Sequence, residues 1–221
     1  VVEGVVTVCD LRKECPNGKV AVRNLTLDIL PGEGFGLLGT NGAGKTTTIS
    51  ILCQEFLPTG GSVYVCGYDV VEESAAALQY VGYYPQFDAC LDFLTVEEHL
   101  RLCAGLCCIA ERQHDEGVSG RLRLCGLVEY RSTLAHELSR GDRRKRSVTM
   151  ALVCGPRVVF FDEALAGMDP VARCGLWTMI ETTAKYYSVV LMTDHLEVGV
   201  LVDVVAIMVV VRCGASVTRH T

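Results

Sequence analysis

A chain of 221 residues, half of them apolar, holds one α/β domain with its own core, or such a core carrying a smaller subdomain. Its longest unbroken apolar run, Val204 to Val211, is far short of the ~20 residues of a membrane-spanning helix. A net charge of −6 argues against nucleic acid as the main partner. The start, VVEGVVTVCDLRKEC, lacks the basic and apolar regions of a signal peptide, so the chain reads as a domain cut from something longer.

Two alternating runs, Val5 to Leu11 and Ala21 to Ile29, flank the turn signal PNGK and predict an antiparallel hairpin or small sheet. PGEGFGLLG then gives a turn and a strand ending at Gly39, and from Gly44 the spacing of Ile49, Leu52 and Phe56 predicts a helix. Between strand and helix, GTNGAGKT matches GxxxxGK[ST] in the context that motif requires. Gly39, Thr40, Asn41, Gly42, Ala43, Gly44, Lys45, Thr46 and Thr47 are therefore the expected nucleotide-binding residues. Backbone N–H groups would curl around a β-phosphate, Lys45 would reach the β- and γ-phosphates, and the Thr46 hydroxyl would ligate Mg²⁺.

A strand follows from Gly60, a short helix from Ser74 to Tyr80, and another strand in VGYYPQ. From Phe87 to about Leu134 the spacing turns helical, and LTVEEHLRLCAGL opens with Thr95 and Glu98 in a capping-box pattern. On this helix His99, Cys103 and Cys107 share one face, with Cys108 and Cys125 near. We weigh zinc there and set it aside, because no CxxC turn accompanies the helix. The twelve cysteines are expected to be unpaired, and most of them to be small buried hydrophobes.

A helix from Asp142 to Cys154 precedes the apolar strand RVVFFDE; a helix from Ala172 to Lys185, the strand SVVLMTDH and the run VVAIMVVV follow. Such continuous runs belong to strands covered on both faces. The basic stretch Arg140 to Arg146 is read as a helix face. Because side chains alternate along a strand, the acids ending VVFFDE divide their work: Asp162 is the expected metal residue and Glu163 the general base.

No NKxD base-reading motif accompanies these features, whereas YYPQFD, TDH, GMDP and LSRGD each fall at a telling place. In this order they resemble the nucleotide-binding domain of ABC transporters. FGLLGTNGAGKTTT, PQFDACLDFLTVEEHL and GMDPVAR are similar to subfamily A, whose full-length members export or flip lipids. The resemblance covers practically the whole chain. It implies a P-loop NTPase core of RecA-like type with a mainly parallel sheet, an N-terminal antiparallel β subdomain and a helical signature subdomain. Residues 1–86 and 155–221 would form the core and 87–154 the helical part.

By that resemblance Gln86 senses Mg²⁺ and the attacking water, His195 contacts the γ-phosphate, and Asp169 crosses a dimer interface. Ser139 and Gly141 of the signature would contact nucleotide held by a second such domain, head to tail. ATP and Mg²⁺ are the implied cofactors, with Thr46, Gln86 and Asp162 serving the metal. The implied partners are that second domain and the transmembrane domains of the same transporter, at the cytoplasmic face of a membrane contacted only indirectly, with no nucleic acid.

The departures are specific. Cys15 stands where an adenine-stacking aromatic is expected, Arg140 and Asp142 alter the signature, Ala164 replaces a proline after Glu163, and Gly199 and VVVR alter the C-terminal segment. The expectation is an ATP-hydrolysing transport domain with an impaired signature. The alternatives are a weakly catalytic regulatory half of an asymmetric transporter, or a soluble ABC ATPase outside transport.

Overall fold

The computed structural model describes residues 4–86, 90–109, 111–165, 170–194, 202–211 and 214–220. The PNGK turn joins β1 (Val6–Glu14) to β2 (Val20–Ile29) as an antiparallel pair, with the Cys15 N–H donating to the Lys19 carbonyl at 2.8 Å. β4 (Gly60–Val65) pairs with β1, and the short β5 (Tyr68–Asp69) completes an antiparallel sheet ordered β2-β1-β4-β5.

The second sheet positions the site. β3 (Gly34–Gly39), β6 (Val81–Tyr84), β7 (Val158–Asp162), β8 (Ser188–Thr193) and β9 (Val204–Val211) run parallel in the order β9-β3-β8-β7-β6. β10 (Gly214–His220) adds to β9 as an antiparallel edge. Phe160, Val190 and Met192 face a core shared with the antiparallel sheet and with α1 (Lys45–Leu52). Their neighbours Val159, Phe161, Val189 and Leu191 face a second core under the helices. Both faces of β7 and β8 are buried, which is why these strands read as unbroken apolar runs. Each such side chain contributes roughly 1.5–3 kcal/mol by leaving water.

The helical part comprises α3 (Val96–Leu106), α4 (Glu111–Leu124) and α5 (Arg140–Leu152); α2 (Ser74–Leu78) and α6 (Pro170–Ala184) belong to the crossovers. The expected capping box is formed: the Thr95 hydroxyl accepts from the Glu98 N–H at 3.2 Å, and the Glu98 carboxylate accepts from the Thr95 N–H at 2.7 Å. α1 is shorter than its spacing suggests. It stops at Leu52, Gln54 takes a left-handed backbone (φ +62°), and Phe56 is turned outward, 52 % exposed.

One reading of the helical part changes. The cysteines were expected unpaired, but Cys107 and Cys154 are joined by a disulfide, because the C-terminal ends of α3 and α5 bring their Cα atoms to 6.2 Å across 47 residues of sequence. His99 is structural: its Nε2 accepts from the Leu91 N–H at 3.0 Å, which leaves Nδ1 to donate to the Thr95 carbonyl at 2.9 Å. Burial holds the imidazole below its ordinary pKa, consistent with that neutral tautomer.

The basic run is spent inside the fold. Arg143 donates to the Leu138 and His136 carbonyls, Arg144 to the Ala164 carbonyl, and Lys145 to Asp142. Arg146 is fully buried; one nitrogen donates to the Ser147 hydroxyl at 3.3 Å, while Nε and Nη1 have no hydrogen-bond partner among the described residues. A buried charge so poorly compensated is destabilising. Arg146→Leu is therefore expected to raise stability by about 1–4 kcal/mol, seen as a higher urea midpoint with an unchanged slope. A lower midpoint would contradict it.

Candidate functional site

β3 ends at Gly39, and the chain wraps back onto the N-terminus of α1 through two left-handed glycines, Gly42 (φ +84°) and Gly44 (φ +102°). A Cβ on Gly44 would lie 2.5 Å from the Ala21 carbonyl, so β2 itself requires glycine there. Gly44 also gives α1 no side-chain cap, which leaves the first N–H groups of the helix to an outside acceptor. The Lys45 side chain lies back under this loop, only 5 % exposed. Its ammonium donates to the Gly39 carbonyl and sits 3.5 Å from the Thr40 carbonyl and 3.3 Å from Glu163 Oε1.

β7 delivers the acids to that lysine. Asp162 closes the strand at 2 % exposure, and its Oδ1 has no hydrogen-bond partner among the described residues. Burial, followed by the charge of Glu163, pushes its carboxyl up to about 6 against the opposing pull of Lys45. Glu163 leaves the strand in a left-handed conformation (φ +48°), a cost that a non-glycine residue bears where the fold demands it. Its N–H donates to the Met192 carbonyl at 2.9 Å, and Arg144 pins the next residue by donating to the Ala164 carbonyl at 2.5 Å. The reversal after Asp162 separates the two acids, one behind the loop and one toward Lys45.

Thr40 to Thr47, Gln86 and Glu163 line one cavity of about 270 Å³. Gly39 and Asp162 are not among its lining residues, although each adjoins one that is, Thr40 and Glu163. Lys19 and Ala21 also line it, although the sequence reading singled out neither; the PNGK turn that folds β2 over the loop was the available signal. Cys15 lies at the same edge, and none of the described lining residues is aromatic. His195 and Asp169 lie outside the described residues.

The donor set fits a hard cation that arrives with phosphate. Among the described residues no cluster of three or more His, Cys, Asp or Glu side chains could hold a metal ion. The unpartnered Asp162 oxygen and the Thr46 hydroxyl instead offer the few protein oxygens that Mg²⁺ takes when phosphates complete its shell.

Ser139 and Gly141 are away from this cavity, at the start of α5. Ser139 caps α5 by accepting from the Asp142 N–H at 3.1 Å, and its hydroxyl donates to Asp142 Oδ2 at 2.6 Å. Lys145 donates to the other oxygen at 3.0 Å. Burial pushes the Asp142 carboxyl up, but the hydrogen bonds from Ser139 and Lys145 outweigh it and hold it below its ordinary value.

Comparison with known proteins gives a consistent picture. A family model described as ABC transporter matches residues 22–166. Mouse ATP-binding cassette sub-family A member 7 is 44 % identical over 79 % of this chain. Human phospholipid-transporting ATPase ABCA7 is 38 % identical over 97 % of it, and human phospholipid-transporting ATPase ABCA3 is 37 % identical over 90 %. The chain spans only 8 %, 10 % and 12 % of the length of these three relatives. The structure of an ATP-binding subunit of an ABC transporter superposes with a TM-score of 0.80 at 25 % identity, covering 97 % of this chain and 90 % of its own. A dimeric bacterial ABC transporter cassette superposes at 0.79 and 18 % identity, covering 92 % and 94 %.

The raised Asp162 carboxyl has a measurable consequence. Folding lifts it from 3.8 to about 6, so the folded state binds this proton more tightly than the unfolded chain does. The associated stability is complete below pH ~4 and is lost as pH rises through about 6. Without metal, the thermal midpoint should fall between those values more steeply than that of Asp162→Asn; parallel curves would show that the proton is not held there.

Proposed function

The chain belongs to the ABC transporter family, and from that premise we propose that it is the domain that binds and hydrolyses Mg·ATP for a longer membrane transporter. The similarity to phospholipid-transporting ATPases favours lipid as cargo. On this reading the domain lies at the cytoplasmic face of a membrane, works with transmembrane domains elsewhere in the protein, and pairs head to tail with a second nucleotide-binding domain. Residues 1–86 and 155–221 are its core and 87–154 its helical signature subdomain.

The observation that carries the proposal is Lys45, held at the cavity floor between two loop carbonyls and Glu163. A γ-phosphate oxygen is a better partner for the ammonium than the Gly39 carbonyl, since both groups are then charged. Drawing Lys45 onto phosphate releases Glu163 to accept the proton of a water that attacks the γ-phosphorus as ADP leaves. The N–H groups of the loop and of α1 stabilise the charge on the phosphates. Thr46 and Asp162, with Gln86 nearby, would hold Mg²⁺, which neutralises charge on the β- and γ-oxygens when bound. His195 and Asp169 take their roles from sequence position: a contact to the γ-phosphate and one to the partner domain.

Lys45→Ala should weaken Mg·ATP binding in a titration. Glu163→Gln should leave binding intact and lower turnover by roughly 10²–10⁴-fold. Equal affinity of Lys45→Ala and the parent, or undiminished turnover of Glu163→Gln, would sink the assignment.

The signature supports a second reading, in which this domain is the regulatory half of an asymmetric pair. The Ser139 hydroxyl already donates to Asp142, and the Asp142 carboxylate places negative charge at the helix N-terminus meant for a partner's phosphate. Arg140 adds a Cβ and a long side chain where glycine permits close approach. In the assembled transporter, Asp142→Asn combined with Arg140→Gly should raise turnover by reviving the partner's site. A fall in turnover on Arg140→Gly alone would mean that the arginine binds phosphate.

A further inference from the structure

On the far side of the segment ending in Gln86, a second cavity of about 280 Å³ opens between β6, α3 and α5. Three cysteines line its wall: Cys103 on α3, Cys107 just past the end of α3, and Cys154 just past α5. Cys107 and Cys154 are bonded, and Cys103 is free. Cys107 is exposed at the end of α3, so the bond is open to attack from solvent, while Cys154 Sγ is packed 3.9 Å from the Cys103 carbonyl oxygen. Pro85 lines this groove, and the next residue, Gln86, lines the nucleotide cavity. Groove and cavity thus share one short piece of backbone.

We propose that this groove is a thiol–disulfide exchange site, where a small-molecule thiol such as glutathione opens the Cys107–Cys154 bond and so loosens α3 from α5 beside Pro85 and Gln86. The thiolate of the entering molecule attacks Cys107 Sγ. A mixed disulfide forms, and Cys154 departs as a thiolate that takes up a proton. A second molecule of the thiol attacks the sulfur of the first, the small disulfide leaves, and Cys107 becomes a thiol. Two thiols are oxidised to one disulfide and the protein bond is reduced, two electrons in all. Burial holds the Cys103 thiol above its ordinary pKa despite the opposing pull of Arg146, so it rests as a neutral thiol and does not compete for the bond. Opening the bond removes a cross-link across 47 residues, while Leu100, Val148 and Leu152 keep the two helices packed on their apolar faces.

The test uses the full chain, equilibrated across ratios of reduced to oxidised glutathione, quenched with iodoacetamide and read by mass spectrometry. Cys107 and Cys154 should gain label together in one two-electron transition. Hydrogen exchange should then show the amides of residues 81–86 and 147–154 opening at least ~10-fold faster in the reduced protein. Cys107→Ser, at an exposed position, should show that faster exchange with no reductant added, and Cys154→Ser should do the same from the other helix. Independent labelling of the two cysteines under oxidised glutathione would overturn the proposal, as would unchanged exchange at residues 81–86. Neither measurement needs nucleotide, so the result stands apart from the fate of the ATPase assignment.

Discussion

The ammonium of Lys45 is nearly out of water, and a charge in that position must find oxygen partners or cost the fold several kcal/mol. It finds the Gly39 and Thr40 carbonyls and Glu163, and the rest of the site follows from that requirement. The loop can bend those carbonyls toward the lysine only through left-handed glycines. Glu163 reaches the lysine only because the chain reverses hand after Asp162, against the preference of a side-chain-bearing residue. The reversal is held from two sides, by the bond to Met192 in β8 and by Arg144 of α5 acting on Ala164. A helix that begins with the signature therefore also braces the acid that faces Lys45.

What the sequence revealed was mostly local. The glycine loop between strand and helix, the hairpin over it, the Thr95 capping box and the buried strands each depend on neighbours a few residues apart, and each has the local structure expected of it. The losses are tertiary. No spacing rule links Cys107 to Cys154, because their meeting depends on how α3 and α5 pack. Lys19 reached the cavity through a hairpin whose direction the pattern did not fix. The basic run is the more instructive case. At 3.6 residues per turn, the four consecutive cations Arg143 to Arg146 sweep most of the way round α5, so they cannot all occupy one solvent face. Arg146 is the one turned inward.

Asp162 and Arg146 show opposite ways of burying a charge. Asp162 takes up a proton more readily than an ordinary aspartate, and its buried Oδ1, without a hydrogen-bond partner among the described residues, lies within the influence of Glu163 and Lys45. Its cost in the apo fold is the kind that a binding site stores. Arg146 has no such chemistry among the described residues: His99 and Cys103, on which its charge acts, are both held toward their neutral forms by burial. One buried group lies next to the acid that meets Lys45; the other is a load on the helical part.

The two helix N-termini make the same contrast in backbone terms. At α1 the capping position is glycine, no side chain satisfies the first N–H groups, and they open onto a cavity with room for phosphate. At α5 the capping position is Ser139, whose hydroxyl is engaged by Asp142, itself tied to Lys145. An anion approaching α1 completes an unfinished set of hydrogen bonds. An anion approaching α5 must displace a cap worth about 1 kcal/mol and also face a carboxylate already at the site. The two helix N-termini thus differ in local hydrogen bonding: α1 leaves its first N–H groups without a side-chain cap, whereas α5 already carries a cap and a carboxylate.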